Sequence, residues 1–549
     1  GEHMAILDKA LIFSSLEKIF PNEPLPENTL PALSVLKNEK ADFQIAFSAK
    51  KGDTVSFSAD GELSACLRFF TVRLIPAGLN APKKSDDYFI AKNKTEYPEL
   101  LWPIANEFTA EYDGVNTVWC EILPSPLLPA GEHTIDFQIK VGENPPMHCS
   151  IDINVIDAEL PKQELIYTNW FHSDCLMEYY KIPVFSEKYW RVTESFLKRA
   201  NEYGMNCVLT PLFTPPLDTQ VGKERPTVQL VDVKVIGNNQ YAFGFEKLDS
   251  WLSMCDRCGI EYYEMSHLFT QWGAKHAPKI MAEVNGETKQ IFGWKTRAAG
   301  KEYKTFLHQF SAALIEYIDR KGIREKCLFH VSDEPSGLMI FSYKKASRIV
   351  HECFKGFKII DALSDYRVFK MGLIELPVPA NDHIKPFIGK VKELWTYYCC
   401  VQADHYVSNR FFSMPSARTR VLGLQLYKFD VRGFLHWGYN FYFSQYSKGL
   451  IDPYKVTDAG GSFSSGDSFV VYPGENGEPL DSLRLHVFYN GLEDMLALKL
   501  LESKIGKEKT DAILEEGLEK PLTFRDYPHS ADWLLKTRER INRAIAENL

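Results

Sequence analysis

The first 160 residues alternate apolar and polar positions with a period of two. Short alternating segments, such as DTVSFSADG at 53–61 and EHTIDFQIKV at 132–141, are separated by Gly, Pro, Asn and Asp. Successive side chains of a strand point to opposite faces, so this pattern is typical of antiparallel strands with one buried face. The pattern predicts an N-terminal antiparallel β-sandwich domain over residues 1–160, with Pro161 in a linker.

From residue 165 the pattern changes to apolar strand, turn and amphipathic helix, repeated along the chain. The helical segment at 301–322 carries an apolar stripe at i, i+3 and i+4 spacing, including Phe306 and Phe310. This alternation predicts an α/β fold, in which residues 161–549 form a (β/α)8 TIM-type barrel with C-terminal helices. The predicted barrel strands are 165–171, 205–212, 260–268, 327–334, 357–364, 375–380, 393–400 and 433–440.

Composition narrows the class of protein. Of the 549 residues, 45% are hydrophobic and 25% charged, which is ordinary for a soluble globular protein. The net charge of -9 disfavours a nucleic-acid partner, which requires a basic surface. No apolar run approaches the ~20 residues that span a bilayer, so we expect no membrane insertion.

The cysteines and the chain start favour a cytoplasmic location. Most of the 11 cysteines lie inside apolar runs, which is typical of reduced, buried thiols. No signal peptide is visible, although the opening GEHM resembles an expression-vector scar and leaves the native leader undetermined. Cys255 and Cys258 form a C-x-x-C without a second pair at zinc spacing. We therefore expect them to pack in a helix and expect no metal or cofactor.

The carboxyl ends of the predicted strands are rich in polar and aromatic residues. In a barrel of this type the active-site residues follow those ends. Aromatic rings to stack on, with amides and acids to bind hydroxyls, are typical of a sugar site, although core packing is the alternative for each aromatic residue alone. The strand ends carry Asn169, Trp170, His172 and Asp174, then His267, then His330, Asp333 and Glu334, then Trp395, Tyr397 and Tyr398, and finally His436, Trp437, Tyr439 and Asn440.

The sharpest motif is HVSDEP at 330–335, which places Asp333 and Glu334 side by side before a proline. Pro335 holds Glu334 extended and removes a backbone donor, so the strand should stop there and let both acids face one cleft. Two close carboxyl groups titrate differently, which gives one proton donor and one carboxylate. The alternative is that Ser332 and the two acids cap the next helix.

A metal site formed by His330, Asp333 and Glu334 is a second alternative for this motif. His330 and Asp333 are three positions apart, so on a strand their side chains point to opposite faces, which disfavours this interpretation. The chain also shows no clear G-x-S-x-G elbow, phosphate-binding loop or H-E-x-x-H helix. Serine-nucleophile, phosphate-loop and zinc-protease functions therefore have little support.

HVSDEP resembles the catalytic signature of glycoside hydrolase family 123, the β-N-acetylgalactosaminidases. The later segments ELWTYYCC, GFLHWGYN and GDSFVVYPG are also similar to that family, over roughly residues 165–490. The resemblance implies an exo-acting, retaining enzyme that removes terminal β-linked N-acetylgalactosamine from glycans, including glycosphingolipid glycans. It further implies substrate-assisted catalysis, in which the sugar's acetamido oxygen attacks the anomeric carbon to form an oxazolinium intermediate.

The resemblance also implies roles for individual residues. Glu334 resembles the general acid/base, and Asp333 resembles the residue that orients the acetamido N–H and stabilises the oxazolinium charge. We expect an acetamido pocket walled by Trp395, Tyr397 and Trp437, with a Tyr hydroxyl holding the carbonyl oxygen. The further candidates for substrate binding or loop support are Asn169, His172, His267, His330, Tyr398, Tyr439 and Asp467.

Three other functions stay open on the sequence alone. The first is another β-N-acetylhexosaminidase, or a glycosidase that uses a protein nucleophile. The second is a carbohydrate-binding barrel without catalysis, and the third is a metal-dependent barrel enzyme. The preference between galacto and gluco sugars depends on a few contacts to one hydroxyl, which the sequence does not determine.

Overall fold

The structure is a computed structural model that describes residues 7–124, 128–333, 335 and 337–549. The predicted catalytic Glu334 lies outside the described residues. In the described part of the chain, no helix combines the length and apolar character needed to cross a membrane.

The N-terminal region is rich in antiparallel strands, as the period-two pattern predicts. All its strand pairs are antiparallel except β10 with β2, which is parallel. The strands are β1 Leu11–Ser14, β2 Ala32–Leu36, β3 Ala41–Ala49, β4 Thr54–Asp60, β5 Leu67–Pro76, β6 Glu96–Pro103, β7 Glu107–Thr109, β8 Gly114–Ile122, β9 Gly131–Val141 and β10 Met147–Ile156.

These strands form two sheets that share a hydrophobic cluster. One sheet has the order β2-β10-β9-β4-β7, and the other contains β1-β3-β8-β5-β6. Phe43 of β3 and Phe137 of β9 pack edge to face with ring centroids 5.8 Å apart. This contact joins the buried faces of the two sheets. We interpret the arrangement as a β-sandwich.

The second part of the chain alternates strands and helices, as predicted. Each barrel strand lies within its predicted segment. In chain order the strands are β11 Ile166–Asn169, β12 Cys207–Thr210, β13 Asp232–Gly237, β14 Gln240–Gly244, β15 Tyr262–Met265, β16 Ile280–Val284, β17 Glu287–Phe292, β18 Cys327–Phe329, β19 Lys358–Ala362, β20 Leu376–Val378, β21 Trp395–Tyr397, β22 Gly433–His436, β23 Val471–Pro473 and β24 Pro479–Ser482.

Among the described residues, eight parallel strands form a nearly closed barrel, as expected for the TIM type. The order is β11-β12-β15-β18-β19-β20 on one side, with β21 and β22 returning to β11. An isolated parallel bridge between Ala380 and Tyr397 joins β20 to β21. The barrel brings the carboxyl ends of all these strands to one face, where the strand-end residues meet.

Three hairpins are additions that the sequence pattern does not predict. The hairpins β13-β14 and β16-β17 form a separate four-stranded sheet beside the barrel. The hairpin β23-β24 extends the N-terminal sheet by pairing Asp481 with Leu101 of β6. The sequence predicts only a loop and helices after residue 440. The strands β23 and β24 are short and fully buried, so their sequences show no period-two alternation.

The helices cover the barrel and close the chain. The predicted helix at 301–322 is confirmed as α4, which ends at Gly322 with a left-handed φ of 67°. Cys255 and Cys258 lie on α3 and are buried, as expected. The helices are α1 Ser173–Tyr180, α2 Glu187–Glu202, α3 Glu246–Cys258, α4 Lys301–Lys321, α5 Ile340–Cys353, α6 Tyr366–Lys370, α7 Ser416–Arg420, α8 Leu422–Lys428, α9 Leu483–Ile505, α10 Lys507–Leu514 and α11 Ala531–Glu547.

Candidate active site

A cavity of about 280 Å³ opens at the carboxyl ends of the barrel strands. Aromatic side chains dominate its wall, and two carboxylates, Asp218 and Asp333, line it. A second cavity of about 1160 Å³ shares Trp272, Ala362 and Tyr397 with the first, so the two cavities adjoin. The smaller cavity is lined by Trp170, His172, Leu217, Asp218, Gln271, Trp272, Asp333, Ala362, Tyr397, Cys399, Cys400, Leu435, Trp437, Phe441, Gln445, Tyr446 and Phe463.

The chain leaves β18 through a bend that turns Asp333 into this cavity. Asp361, at the end of the neighbouring strand β19, accepts the backbone N–H groups of Val331 (3.2 Å) and Ser332 (3.4 Å). The Ser332 hydroxyl donates to the carbonyl of Thr270 at 2.8 Å. These bonds replace strand pairing, so residues 331–333 no longer follow the pleat.

Gln271 holds the Asp333 carboxylate from the loop after β15. Its Nε2 donates to Asp333 Oδ2 at 2.8 Å, and its Oε1 accepts the backbone N–H of Asp218 at 2.7 Å. One amide side chain therefore links the loops after β12, β15 and β18. Asp333 thus lines the cavity, and its catalytic role stays a prediction, as does that of Glu334, which lies outside the described residues.

His330 lies directly below the cavity between two buried carboxylates. Its Nε2 hydrogen bonds to Glu264 of β15, and its Nδ1 lies 3.2 Å from Oδ1 of Asp361. Burial alone would lower the pKa of His330, but the charge of Glu264 and the bonds to both acids raise it to about 10. His330 is therefore an imidazolium at neutral pH, and both ring nitrogens donate within the protein.

The cluster of His330, Glu264 and Asp361 also holds Trp170, an aromatic residue that lines the cavity. Glu264 accepts from the Trp170 indole N–H at 3.0 Å and from the Thr168 hydroxyl at 2.6 Å. His267 stacks on His330 with ring centroids 4.1 Å apart. Burial and the positive charge of His330 hold the pKa of His267 well below its usual range, so His267 is neutral. Both predicted histidines thus support the site from beneath and do not line the cavity.

Trp437 forms one wall of the cavity, and the buried Asp467 holds its indole ring. Its indole N–H donates to Asp467 at 3.0 Å. Burial, opposed by nearby Arg410, raises the pKa of Asp467 to about 7. Asp467 also lies 3.3 Å from His436 Nε2, so it supports the loop, one of the two roles expected for it.

His172 lines the cavity and holds the backbone of Trp437. Arg225 donates to its Nδ1 at 3.0 Å, so the proton must lie on Nε2, which donates to the Trp437 carbonyl at 2.8 Å. Burial and the Arg225 charge keep the pKa of His172 well below its usual range. The ring is therefore a neutral imidazole of one defined tautomer.

The pleat explains why Asn169 and Tyr398, two of the predicted binding residues, do not line the cavity. Asn169 points outward with Tyr167, to whose hydroxyl it donates at 3.3 Å. Tyr398 also points outward and packs on Phe434 and His436, while its neighbour Tyr397 points inward and lines the cavity. Which face a residue takes follows from its strand register, and the sequence does not show it.

Trp395 and Tyr439 also do not line the cavity, because they lie at other depths of the fold. Trp395 points inward, but it is the first residue of β21 and packs over Gly433 at the amino end of the barrel. A side chain at position 433 would clash with the indole, which explains the glycine there. Tyr439 stacks on Phe171 and donates to the carbonyl of Phe196 at 3.0 Å, within the helix layer.

One group of residues near the cavity has the composition of a metal site. Among the described residues, His267, His330 and Asp361 bring ligand atoms within 4.8 Å of one another. Both nitrogens of His330 are, however, already donors to carboxylates, and a metal ligand must offer a lone pair. The cluster is better described as an ion-paired support than as a metal centre.

The sequence reasoning did not find Asp218, Gln271, Glu264 or Asp361. The first two lie in loops with no periodic pattern. Glu264 and Asp361 had a visible signal, since each is a single acid inside an apolar strand. A buried acid needs a partner, so such a residue points to a polar cluster.

Comparison with known proteins identifies the family. The model of the glycoside hydrolase 123 catalytic domain matches residues 170–501, which is more than half of the chain. The chain therefore belongs to glycoside hydrolase family 123, and the resemblance of its motifs is confirmed. No curated protein matches the chain at a significant level.

A solved structure shares this fold. A family 123 glycoside hydrolase from Clostridium perfringens, described in a study of glycolipid glycan hydrolysis, has a TM-score of 0.76 to this chain. The two are 15% identical, and the match covers 98% of each chain, so both parts of the fold are shared. A GH5 xyloglucanase from Bacteroides ovatus matches with a TM-score of only 0.26 and 9% identity, over 84% of this chain and 98% of that one.

Proposed function

We propose that this glycoside hydrolase is an exo-acting, retaining β-N-acetylgalactosaminidase that removes terminal β-linked N-acetylgalactosamine from glycans. The observation that carries the proposal is the position of Asp333, which is turned into a small aromatic cavity by Asp361 and held there by Gln271. A cavity of about 280 Å³ is at the small end of ligand pockets, which suits one sugar ring.

The chemistry that we propose uses the sugar's own acetamido group. Asp333 accepts a hydrogen bond from the acetamido N–H, which directs the carbonyl oxygen to the anomeric carbon. The bond from that oxygen forms as the glycosidic C–O bond breaks, and Glu334 gives its proton to the leaving oxygen. The Asp333 carboxylate then lies beside the positive oxazolinium. Water, deprotonated by Glu334, opens the ring and restores the configuration.

The surrounding side chains supply binding and orientation. Trp170, held by Glu264, and Trp437, held by Asp467, present fixed indole rings to the cavity. Fixed aromatic rings bind the apolar faces of sugars at low entropic cost. The Tyr397 hydroxyl is our candidate for holding the acetamido carbonyl in line.

The larger adjoining cavity supports a glycan leaving group. Its volume is about four times that of the smaller cavity. Tyr366, Asn381, Asp382 and Arg525 combine an aromatic ring with hydrogen-bonding groups along its wall. The Clostridium perfringens relative is described as acting on glycolipid glycans, and we propose glycosphingolipid glycans as substrates here.

The direct test of the catalytic assignment replaces each acid by its amide. We expect Glu334→Gln and Asp333→Asn to fold normally and to reduce turnover of an aryl β-N-acetylgalactosaminide by about 10³-fold or more. Asp319→Asn, which removes an exposed carboxylate on α4, is the matched control. Turnover of Glu334→Gln at the wild-type rate would refute the assignment.

Two further measurements separate the alternative functions. A panel of aryl N-acetylhexosaminides in both configurations distinguishes galacto from gluco preference, and we expect the galacto sugar to react faster. A thiazoline mimic of the oxazoline should inhibit strongly, because it resembles the intermediate. Weak inhibition would favour a protein nucleophile, and sugar binding without product would favour a non-catalytic barrel.

A further inference from the structure

We propose that Asp218 is a further carboxylate of the site and binds a hydroxyl group of the sugar whose glycosidic bond is cleaved. The inference rests on the proposed function and extends it, because it names a residue outside the acidic pair and a specific contact. Asp218 lies in the loop after β12 and lines the same small cavity as Asp333.

Three bonds fix Asp218 from neighbouring loops. Its backbone N–H donates to Gln271, the residue that also holds Asp333. Its Oδ2 accepts the backbone N–H of Tyr446 at 3.0 Å, and its carbonyl accepts the Ser447 hydroxyl at 2.7 Å. Gln271 therefore binds both residues, the backbone of Asp218 through its Oε1 and the carboxylate of Asp333 through its Nε2.

The carboxylate keeps hydrogen-bonding capacity for a ligand. An ionised carboxylate accepts about four hydrogen bonds, and the described residues give Asp218 only the one from Tyr446. Arg225, whose charge acts on Asp218, is already engaged by Asp174 through bonds of 2.6 and 2.8 Å. The Asp218 carboxylate can therefore accept a hydrogen bond from a sugar hydroxyl in this cavity.

The backbone around this carboxylate is strained in a way that supports a binding role. Asp218, Trp272 and Tyr446 have left-handed φ values of 39°, 58° and 62°. Such conformations are unfavourable for residues other than glycine, and they persist where the surroundings impose them. All three residues line the small cavity. These three strained positions belong to loops that form the cavity wall.

The protonation of Asp218 gives the proposal a measurable signature. Burial raises the pKa of Asp218 to about 6, while the Tyr446 bond and the Arg225 charge oppose the rise. Among the described residues, the other titratable side chains that line its cavity are His172, Asp333, Tyr397, Cys399, Cys400 and Tyr446, and Asp467 also interacts with its charge. Asp218 gains its charge as the pH rises through about 6, and the affinity for a hydroxyl donor rises with it.

The test combines two variants with substrates that lack single hydroxyls. Asp218→Asn keeps the shape and removes the charge. Asp218→Gly removes the side chain at a left-handed position that glycine tolerates. Both are assayed against wild type and Asp319→Asn with an aryl β-N-acetylgalactosaminide and its 3-, 4- and 6-deoxy forms, from pH 5 to 8. Thermal unfolding confirms that each variant is folded.

We expect KM to rise about 10- to 100-fold in both variants with a smaller change in kcat, as for loss of a hydrogen bond to a charged group. One deoxy substrate should lose a similar factor with wild type and nothing further with Asp218→Asn. In that variant the component of the kcat/KM profile near pH 6 should disappear.

Two results would overturn the inference while leaving the proposed function intact. The first is a KM within about twofold of wild type in a folded, active Asp218→Asn. The second is an unchanged penalty for every deoxy substrate in that variant. A wild-type protein without activity on any aryl N-acetylhexosaminide would instead refute the proposed function, and the inference with it.

Discussion

Two buried histidines in this protein have the same chemistry in different places. His330 lies below the cavity between Glu264 and Asp361. His486, on α9, lies between Asp42, Glu121 and Asp481. For each histidine, burial lowers the pKa but the neighbouring carboxylates raise it to about 10. Both are therefore imidazolium ions that compensate buried acids.

What differs is the structure to which each cluster is attached. The His330 cluster holds the Trp170 indole and the backbone before Asp333, both of which belong to the cavity. The His486 cluster joins β3, β8 and β24 of the N-terminal sheet to α9. The comparison teaches that a strongly shifted pKa marks a functional site only when the group also contacts the residues of that site.

In the comparison of the two histidines, the larger effect is expected for His330→Gln. The variant leaves two buried carboxylates uncompensated, which should cost about 3–5 kcal/mol of the free energy of unfolding. Displacement of Trp170 and Asp333 should also reduce kcat/KM by about 100-fold or more. Denaturant unfolding and steady-state kinetics measure the two effects. Asp361→Asn, which still accepts amide N–H bonds, should show both effects in weaker form.

A folded His330→Gln with wild-type kcat/KM would show that the cluster does not position the site. If that variant does not fold, the same conclusion would follow from Asp361→Asn with wild-type kcat/KM and lowered stability.

The second prediction is that His486→Gln lowers stability without changing the kinetics. The same loss of a buried cation should again cost about 3–5 kcal/mol of stability. Because His486 contacts no residue that lines the cavity among those described, the folded variant should keep kcat and KM within about twofold. Kinetics well below the unfolding temperature provide the check. A 100-fold loss of kcat with normal folding would remove the contrast between the two clusters.

The third effect is the dependence of stability on pH. Each histidine holds its proton in the folded state up to about pH 10 but releases it near 6.5 when unfolded. The folded state therefore binds more protons, so this stabilisation is complete below pH 6.5 and is lost as the pH rises toward 10. Melting temperatures should fall over that range, and each single His→Gln variant should show a shallower decline. Equal slopes for wild type and both variants would contradict the assignment of charge.

The smallest effect separates two adjacent tyrosines. Tyr397→Phe removes a hydroxyl at the cavity and should lower kcat/KM about tenfold. Tyr398→Phe removes a hydroxyl that is buried outside the barrel, where no partner is found among the described residues, and should change kcat/KM less than twofold. Parallel assays of the two variants measure the difference. Equal losses would mean that the register of β21 is wrong.

Much of the fold could be predicted from the sequence, because it depends on local periodicity. Period-two and helical patterns located all eight barrel strands and the helix α4. The short hairpin β23-β24 was not predicted, since its strands are wholly buried and β24 pairs with β6, more than 350 residues earlier in the chain.

The site was predicted less completely, for a physical reason. The motif around Asp333 is contiguous in sequence, so it could be recognised there. The residues that hold it come from other parts of the barrel, since Gln271 follows β15 and Asp361 lies near the end of β19. Such contacts depend on strand order and register. For the same reason the sequence alone did not separate Tyr397 from Tyr398, or show that His330 supports the site from below.

The most direct test of the central claim is the rate of hydrolysis as the acetamido group of the substrate is fluorinated. Aryl β-galactosaminides with N-acetyl, N-fluoroacetyl, N-difluoroacetyl and N-trifluoroacetyl groups carry a progressively less nucleophilic carbonyl oxygen. If that oxygen is the nucleophile, kcat/KM should fall steeply at each step, by orders of magnitude across the series. A flat series would contradict substrate assistance and require a nucleophile from the protein.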